Sequence, residues 1–133
     1  MKTHMQANLN LDYDFGRVSY SPPTTLYLGL STTPISQDGT GATEPSGTAG
    51  YTRVTITNDK TKFSTSSNSE LYNVVDLSFP ESTASWGTIT HVFIADALSG
   101  GNIRYYEALP TPRQVQPQTS LMFAQQTLRI KTA

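Results

Sequence analysis

An all-β fold, an antiparallel β-sandwich of jelly-roll-like type, is what this sequence predicts. Leu26, Leu28 and Leu30 alternate with smaller or amphipathic residues in segment 24–31, the two-residue period of a half-buried strand. The alternation recurs along the chain between segments rich in Gly, Pro, Ser and Thr. That punctuation belongs to short antiparallel strands, not to alternating strand and helix units. At 133 residues the chain suits one domain with a real core.

Residues 1–21 read as an N-terminal arm and residues 22–133 as the sandwich domain. In the arm, Leu9, Leu11, Tyr13, Phe15, Val18 and Tyr20 alternate loosely, while Asn, Asp and Gly16 interrupt any long helix. A short helix over 6–15 is compatible with that pattern. Pro22 and Pro23 then impose an extended entry into the first strand, since each proline fixes φ and disfavours helix in the residue before it. Residues 32–50 hold Pro34, Gly39, Gly41, Pro45, Gly47 and Gly50 with little apolar surface, and predict a long exposed loop.

Alternation resumes at 51–58, where β-branched residues favour a strand. Asn58-Asp59-Lys60 is a turn, Phe63 an anchor, and 65–69 a polar loop. Segment 71–79 places Asn73, Val75, Leu77 and Phe79 on one face, and Pro80 ends it. Segment 88–96 is apolar on both faces, with Ile89, His91, Phe93 and Ala95 on one side and Val92 and Ile94 on the other, as expected of a central strand. Ser99-Gly100-Gly101-Asn102 takes positive φ readily, so 103–109 should fold back as an antiparallel hairpin. Pro110, Pro112 and Pro117 mark an exposed crossing. Segment 120–131 closes the chain, with a bulge or bend expected at Gln125-Gln126. The total is about seven strands.

Hydrophobic residues make up 36% and charged residues 14%, so uncharged Ser, Thr, Asn and Gln must cover much of the surface. A formal net charge of -1 supplies no attraction to phosphate backbones or anionic lipid, and neither nucleic acid nor membrane is expected as a partner. No segment reaches the roughly 20 apolar residues of a membrane span, and the first residues lack the apolar core of an export signal. The absence of cysteine excludes disulfides, thiolate metal sites and thiol nucleophiles.

Catalytic constellations are missing. A serine hydrolase needs a histidine held against its nucleophile, yet only His4 and His91 occur, and His91 sits in an apolar strand. The ten acids are scattered without calcium-loop or zinc spacing. Asp12 and Asp14 flank Tyr13 and read as solvated or capping side chains. The Gly39-Thr40-Gly41 and Gly47-Thr48-Ala49-Gly50 segments lack the lysine and helix of a phosphate cradle. No catalytic residue, metal or cofactor is expected. The aromatics are the better lead. Tyr105 and Tyr106 must point to opposite faces of their strand, and Trp86 and Tyr106 are the candidates for an exposed platform that stacks on sugars or on a partner.

The order Pro22-Pro23-Thr24-Thr25-Leu26-Tyr27-Leu28-Gly29-Leu30-Ser31, then Gly50-Tyr51-Thr52-Arg53-Val54, Leu77-Ser78-Phe79-Pro80, Ala84-Ser85-Trp86-Gly87-Thr88-Ile89-Thr90-His91 and Gly100-Gly101-Asn102-Ile103, resembles small bacteriophage virion proteins. The likeness covers residues 20–130 and extends to tail-fibre and head-associated members. It implies a non-enzymatic structural protein of the virion, assembled in the host cytoplasm, either a capsid decoration (cement) protein or a tail-fibre component. Its partners would be other phage structural proteins and copies of itself, a trimer being one candidate.

A lightly charged, cysteine-free sandwich protects its strand edges well by symmetric association. Leu9, Leu11, Phe15 and Tyr20 in the arm are the candidate subunit contacts, adding to a neighbour's sheet or groove. Folding back on the arm's own domain is the alternative. The rival function is a carbohydrate-binding module for host-surface recognition, built on the exposed aromatics.

Overall fold

A computed structural model describes residues 1–132. One α-helix, α1 (His4–Asp14), is followed by eight strands: β1 (Thr25–Ser31), β2 (Val54–Thr57), β3 (Glu70–Tyr72), β4 (Leu77–Ser78), β5 (Gly87–Ala95), β6 (Ile103–Val115), β7 (Met122–Phe123) and β8 (Arg129–Lys131). The pairings are antiparallel, and the fold is all-β as the alternation predicts.

Strands β2-β1-β5-β6 form one four-stranded sheet, and β3-β8 and β4-β7 form two short ribbons. Leu28, Leu30, Ile56, Ile89, Val92 and Ile94 of the sheet bury one face against Leu77, Phe79, Phe123, Leu128 and Ile130 of the ribbon segments. This is the main core. β5 lies between β1 and β6, and its other face is covered too. Phe93 and Ala95 there pack with Ile35 in a smaller cluster. The hairpin β5-β6 forms as expected, with Gly100 and Gly101 at φ 65° and 70° in its turn.

The close packing of that second face depends on Gly29. It stands opposite Phe93 in the β1-β5 register, and a Cβ there would overlap the Phe93 ring. Any side chain at this position must displace a ring that is itself fully buried.

Four sequence expectations change. The segment 71–79, read as one strand, is divided in two, whereas segment 120–131 breaks at Gln125-Gln126 as expected. The division occurs where buried Asn73 turns its amide onto the carbonyls of Val75, Phe123 and Ala124, at 2.8, 3.3 and 3.0 Å. Its Oδ1 accepts from the Leu128 N–H at 2.8 Å. A side chain that satisfies four backbone groups replaces ladder bonds, which is why pairing stops there.

Second, β6 continues to Val115 through Pro110 and Pro112. Prolines are tolerated because β6 is an edge strand and residues 109–112 fall where its register with β5 is interrupted, so neither proline removes a ladder bond. Third, Ile89 faces the main core together with Val92 and Ile94, not with Phe93. The register slips between Ile89 and His91, and such an irregularity re-aims the side chains beyond it.

Fourth, segment 32–50 is pinned down. Ile35 and Ala49 are buried. The Ser31 hydroxyl donates to the Thr33 carbonyl at 2.7 Å and accepts from the Thr43 N–H at 3.0 Å. The Glu44 carboxylate is the strongest tether: it takes both forks of the buried Arg53 guanidinium, at 2.8 and 2.9 Å, and the Tyr51 hydroxyl at 2.6 Å. Arg53 also donates to the carbonyls of Ala97 and Gly100, at 2.6 and 2.9 Å, and lies over the Phe93 ring, 5.0 Å from its centroid. One guanidinium thus joins the long loop, the hairpin turn and the second core face.

Burial alone would push the Glu44 carboxyl up, but Arg53 and the Tyr51 hydroxyl outweigh it and hold it below the ordinary range. Asp96 behaves alike: burial raises it, and hydrogen bonds from the Asn102 backbone and side chain and from Arg104 more than reverse this. Both carboxyls have lowered folded values, so the unfolded chain binds more protons in acid and stability rises with pH there. Stability is expected to be full above about pH 5 and to decline progressively toward pH 3. Urea unfolding of the wild type and of the Glu44→Gln, Asp96→Asn double variant checks this. The variant should be weaker at neutral pH and show a shallower slope in acid. Exposed Asp38 and Asp59, lowered first by the Thr40 and Thr61 hydroxyls, leave some slope in both.

Candidate functional site

The arm has a fixed root and an exposed tip. At the root, residues 1–3 run antiparallel along β6, bridging Lys2 to Tyr105. The Thr3 N–H donates to the Arg104 carbonyl at 3.0 Å, and the Thr3 hydroxyl to the Ile103 carbonyl at 2.8 Å. Thr3 also caps α1, accepting from the Gln6 N–H. Gln6 is buried, and its Oε1 accepts from Arg104 at 3.0 Å. Arg104 donates further to the Tyr20 hydroxyl at 3.2 Å and pairs with Asp96 at 3.1 Å. An eleven-residue helix is marginal alone; this polar knot is what holds it.

The tip is apolar and uncovered. Leu11 is 56% exposed and Phe15 78%, with Tyr13 and Val18 exposed beside them. These are four of the seven large hydrophobic residues exposed among the described residues, so exposed apolar residues concentrate within eight positions at the end of α1 and just after it. This grouping makes the tip the candidate contact surface of the chain.

Between the arm and the domain lies a cleft of about 830 Å³. Leu26, Phe63, Leu71 and Tyr105 give it apolar walls, and Gln6, Asn10 and Tyr20 form the arm's side of it.

The candidate contacts therefore separate. Leu11 and Phe15 are at the free tip, Leu9 is half-buried on α1, and Tyr20 belongs to the root through Arg104 and Gln6. Trp86 is a correction: it is buried in the main core, with Nε1 donating to the Ala49 carbonyl at 2.8 Å and its ring against Tyr51 and Phe79. An indole whose N–H has found an internal acceptor gains more from burial than from water, and it offers no exposed platform. Tyr106 is half-buried on the side of Phe93, while Tyr105 lies on the opposite face. His91 hydrogen-bonds the neighbouring Thr90 hydroxyl at 2.8 Å, and partial burial pulls its pKa down.

Tyr13 and Val18, which complete the tip, belong to the arm's alternation but not to the candidate contacts, and Arg104, which anchors the root, gives no signal in the sequence. An alternating pattern does not distinguish the covered residues of an arm from the bare ones.

Comparison with protein families decides the identity. The family model described as podophage GP4 fiber I protein gp80 matches residues 1–131. The chain belongs to this family. No curated protein matches it. As a member of a podophage fibre family the protein is a structural component of the virion, associated with the tail fibre and with other phage structural proteins. The match includes the arm, so root and tip are part of what the family model describes.

Proposed function

We propose that this protein is a non-enzymatic subunit of the podophage fibre that assembles with copies of itself through its N-terminal arm. In this reading residues 1–21 are the assembly element and the sandwich is the rigid body that carries it. The observation that carries the proposal is the apolar tip, Leu11, Tyr13, Phe15 and Val18, held away from the core by a hydrogen-bonded root. A flexible tail would lose ordering entropy on docking, whereas a rooted helix presents its side chains already placed. Membership in a fibre family supports the fibre over the capsid surface as its location.

The test follows from the same geometry. Deleting the whole arm would uncover the β6 edge and remove buried Thr3 and Gln6, confusing folding with assembly. Leu11→Asp with Phe15→Asp alters only the tip. Surface changes of this type cost about 0.5 kcal/mol or less in the monomer, so circular dichroism and melting should be nearly unchanged. Light scattering of the wild type should give a multiple of 14.5 kDa, and the double variant should fall to the monomer. A wild type that is monomeric at high concentration, or a variant that assembles normally, would refute the arm's role.

A further inference from the structure

A second groove, of about 380 Å³, runs between the outer half of β6 and strands β7 and β8, lined by none of the arm residues. Its floor includes the buried side chains of Phe123 and Leu128. Arg113, Arg129 and Lys131 stand around it, three of the nine cations in a chain of net charge -1. Glu107 is the one carboxylate in its lining. Its Oε1 already accepts from the Lys131 backbone N–H at 2.8 Å and from the Met1 nitrogen at 2.6 Å.

The cations are only partly committed. Arg113 lies over the Phe123 ring, 4.8 Å from its centroid, and one of its nitrogens donates to the Met122 carbonyl at 2.9 Å. These two contacts restrain the exposed guanidinium. Among the described residues its remaining nitrogens have no acceptor. The Lys131 ammonium has neither a hydrogen bond nor an ion pair among them. Arg129 is 3.6 Å from Glu70 and lies over Tyr72, which leaves its charge only partly neutralised.

A restrained guanidinium with free N–H groups is preorganised for an oxyanion, since little further ordering is needed to bind one. The apolar floor strengthens the attraction by excluding water beneath it. The volume matches a ligand of small-molecule size, within the roughly 300–1,000 Å³ usual for such sites. We infer that this groove binds the carboxylate or phosphate group of a small organic ligand, Arg113 supplying the hydrogen-bonding fork and Lys131 and Arg129 the flanking charge.

Titration of the full chain with inorganic phosphate, glucuronate and uncharged glucose, followed by two-dimensional NMR, tests this. Phosphate and glucuronate should shift the resonances of Arg113 and of 127–131 saturably, and glucose should not. Binding should weaken as salt rises from about 50 to 500 mM. Arg113→Gln and Lys131→Gln should each weaken binding of the tighter anion about tenfold, and Lys60→Gln, away from the groove, should leave it unchanged. Lys131→Gln removes a side chain with no internal partner, so its effect is separable from folding. Tighter glucuronate binding assigns the site to a carboxylated ring, and tighter phosphate binding to a phosphate group. The inference is overturned if neither anion shifts these resonances, or if both bind the Arg113→Gln, Lys131→Gln double variant as they bind the wild type.

Discussion

Asn73→Ala is expected to lower the unfolding free energy by about 4 kcal/mol, seen as a urea midpoint shift at unchanged slope. Three carbonyls lose a donor and one N–H its acceptor at once, around a side chain with no solvent exposure. Each buried group left unpaired costs about 1–3 kcal/mol, and partial relaxation keeps the total below the sum. Total stabilities of domains are about 5–15 kcal/mol, so this one amide accounts for a large share. Asn73→Asp, nearly the same size, should be at least as harmful at neutral pH. It turns a carboxylate toward the carbonyls of Val75, Phe123 and Ala124 in place of their donor. If Asn73→Asp proves neutral, the hydrogen-bond account is wrong and only the volume of the side chain matters.

Arg53→Met should cost about 3 kcal/mol. The replacement keeps an apolar stem against Phe93 but orphans the carbonyls of Ala97 and Gly100 and leaves Glu44 with only the Tyr51 hydroxyl. Removing one member of a buried pair is worse than never having had the pair, because the partner's desolvation is no longer offset. Arg53→Lys should recover little, since a single ammonium cannot occupy both forks on Glu44 and reach two carbonyls. Amide hydrogen exchange gives a local check: the 97–101 turn and the 32–50 loop should open together in Arg53→Met and the ribbons should stay protected. Uniform loss of protection would show that Arg53 acts through global stability alone.

These two residues show how far a linear reading reaches. The alternation places Asn73 on a strand face with Val75, Leu77 and Phe79, where period-two logic treats it as one position among equals. Nothing local signals that its amide meets carbonyls fifty positions away. Arg53 reads as the polar member of an alternating strand, yet it is buried beneath a loop whose Gly and Pro content suggested exposure. Both cases share a cause: a polar group's burial is decided by whether partners from distant segments converge on it. Trp86 is the converse. A large aromatic beside a glycine is equally consistent with a platform and with a core, and the Ala49 carbonyl that accepts its N–H chooses the core.

The candidate site divides along the same line. The broken alternation of 1–21 and the Pro22-Pro23 boundary are legible in the sequence, and Leu11 and Phe15, named there as candidate contacts, are exposed. Tyr20 belongs to the root because Arg104, eighty-four positions later, reaches its hydroxyl.

By itself the sequence determined the all-β class, the β5-β6 hairpin and the virion setting. Each rests on signals within a few residues of one another: alternation, glycine pairs, prolines and motif order. Only the tertiary structure decided where the 71–79 strand breaks, which prolines lie in an edge strand, which face Ile89 takes, and which cations surround a groove. Those outcomes depend on hydrogen bonds and charges between segments far apart in the chain, and their geometry exists only once the sheet and ribbons have closed on each other.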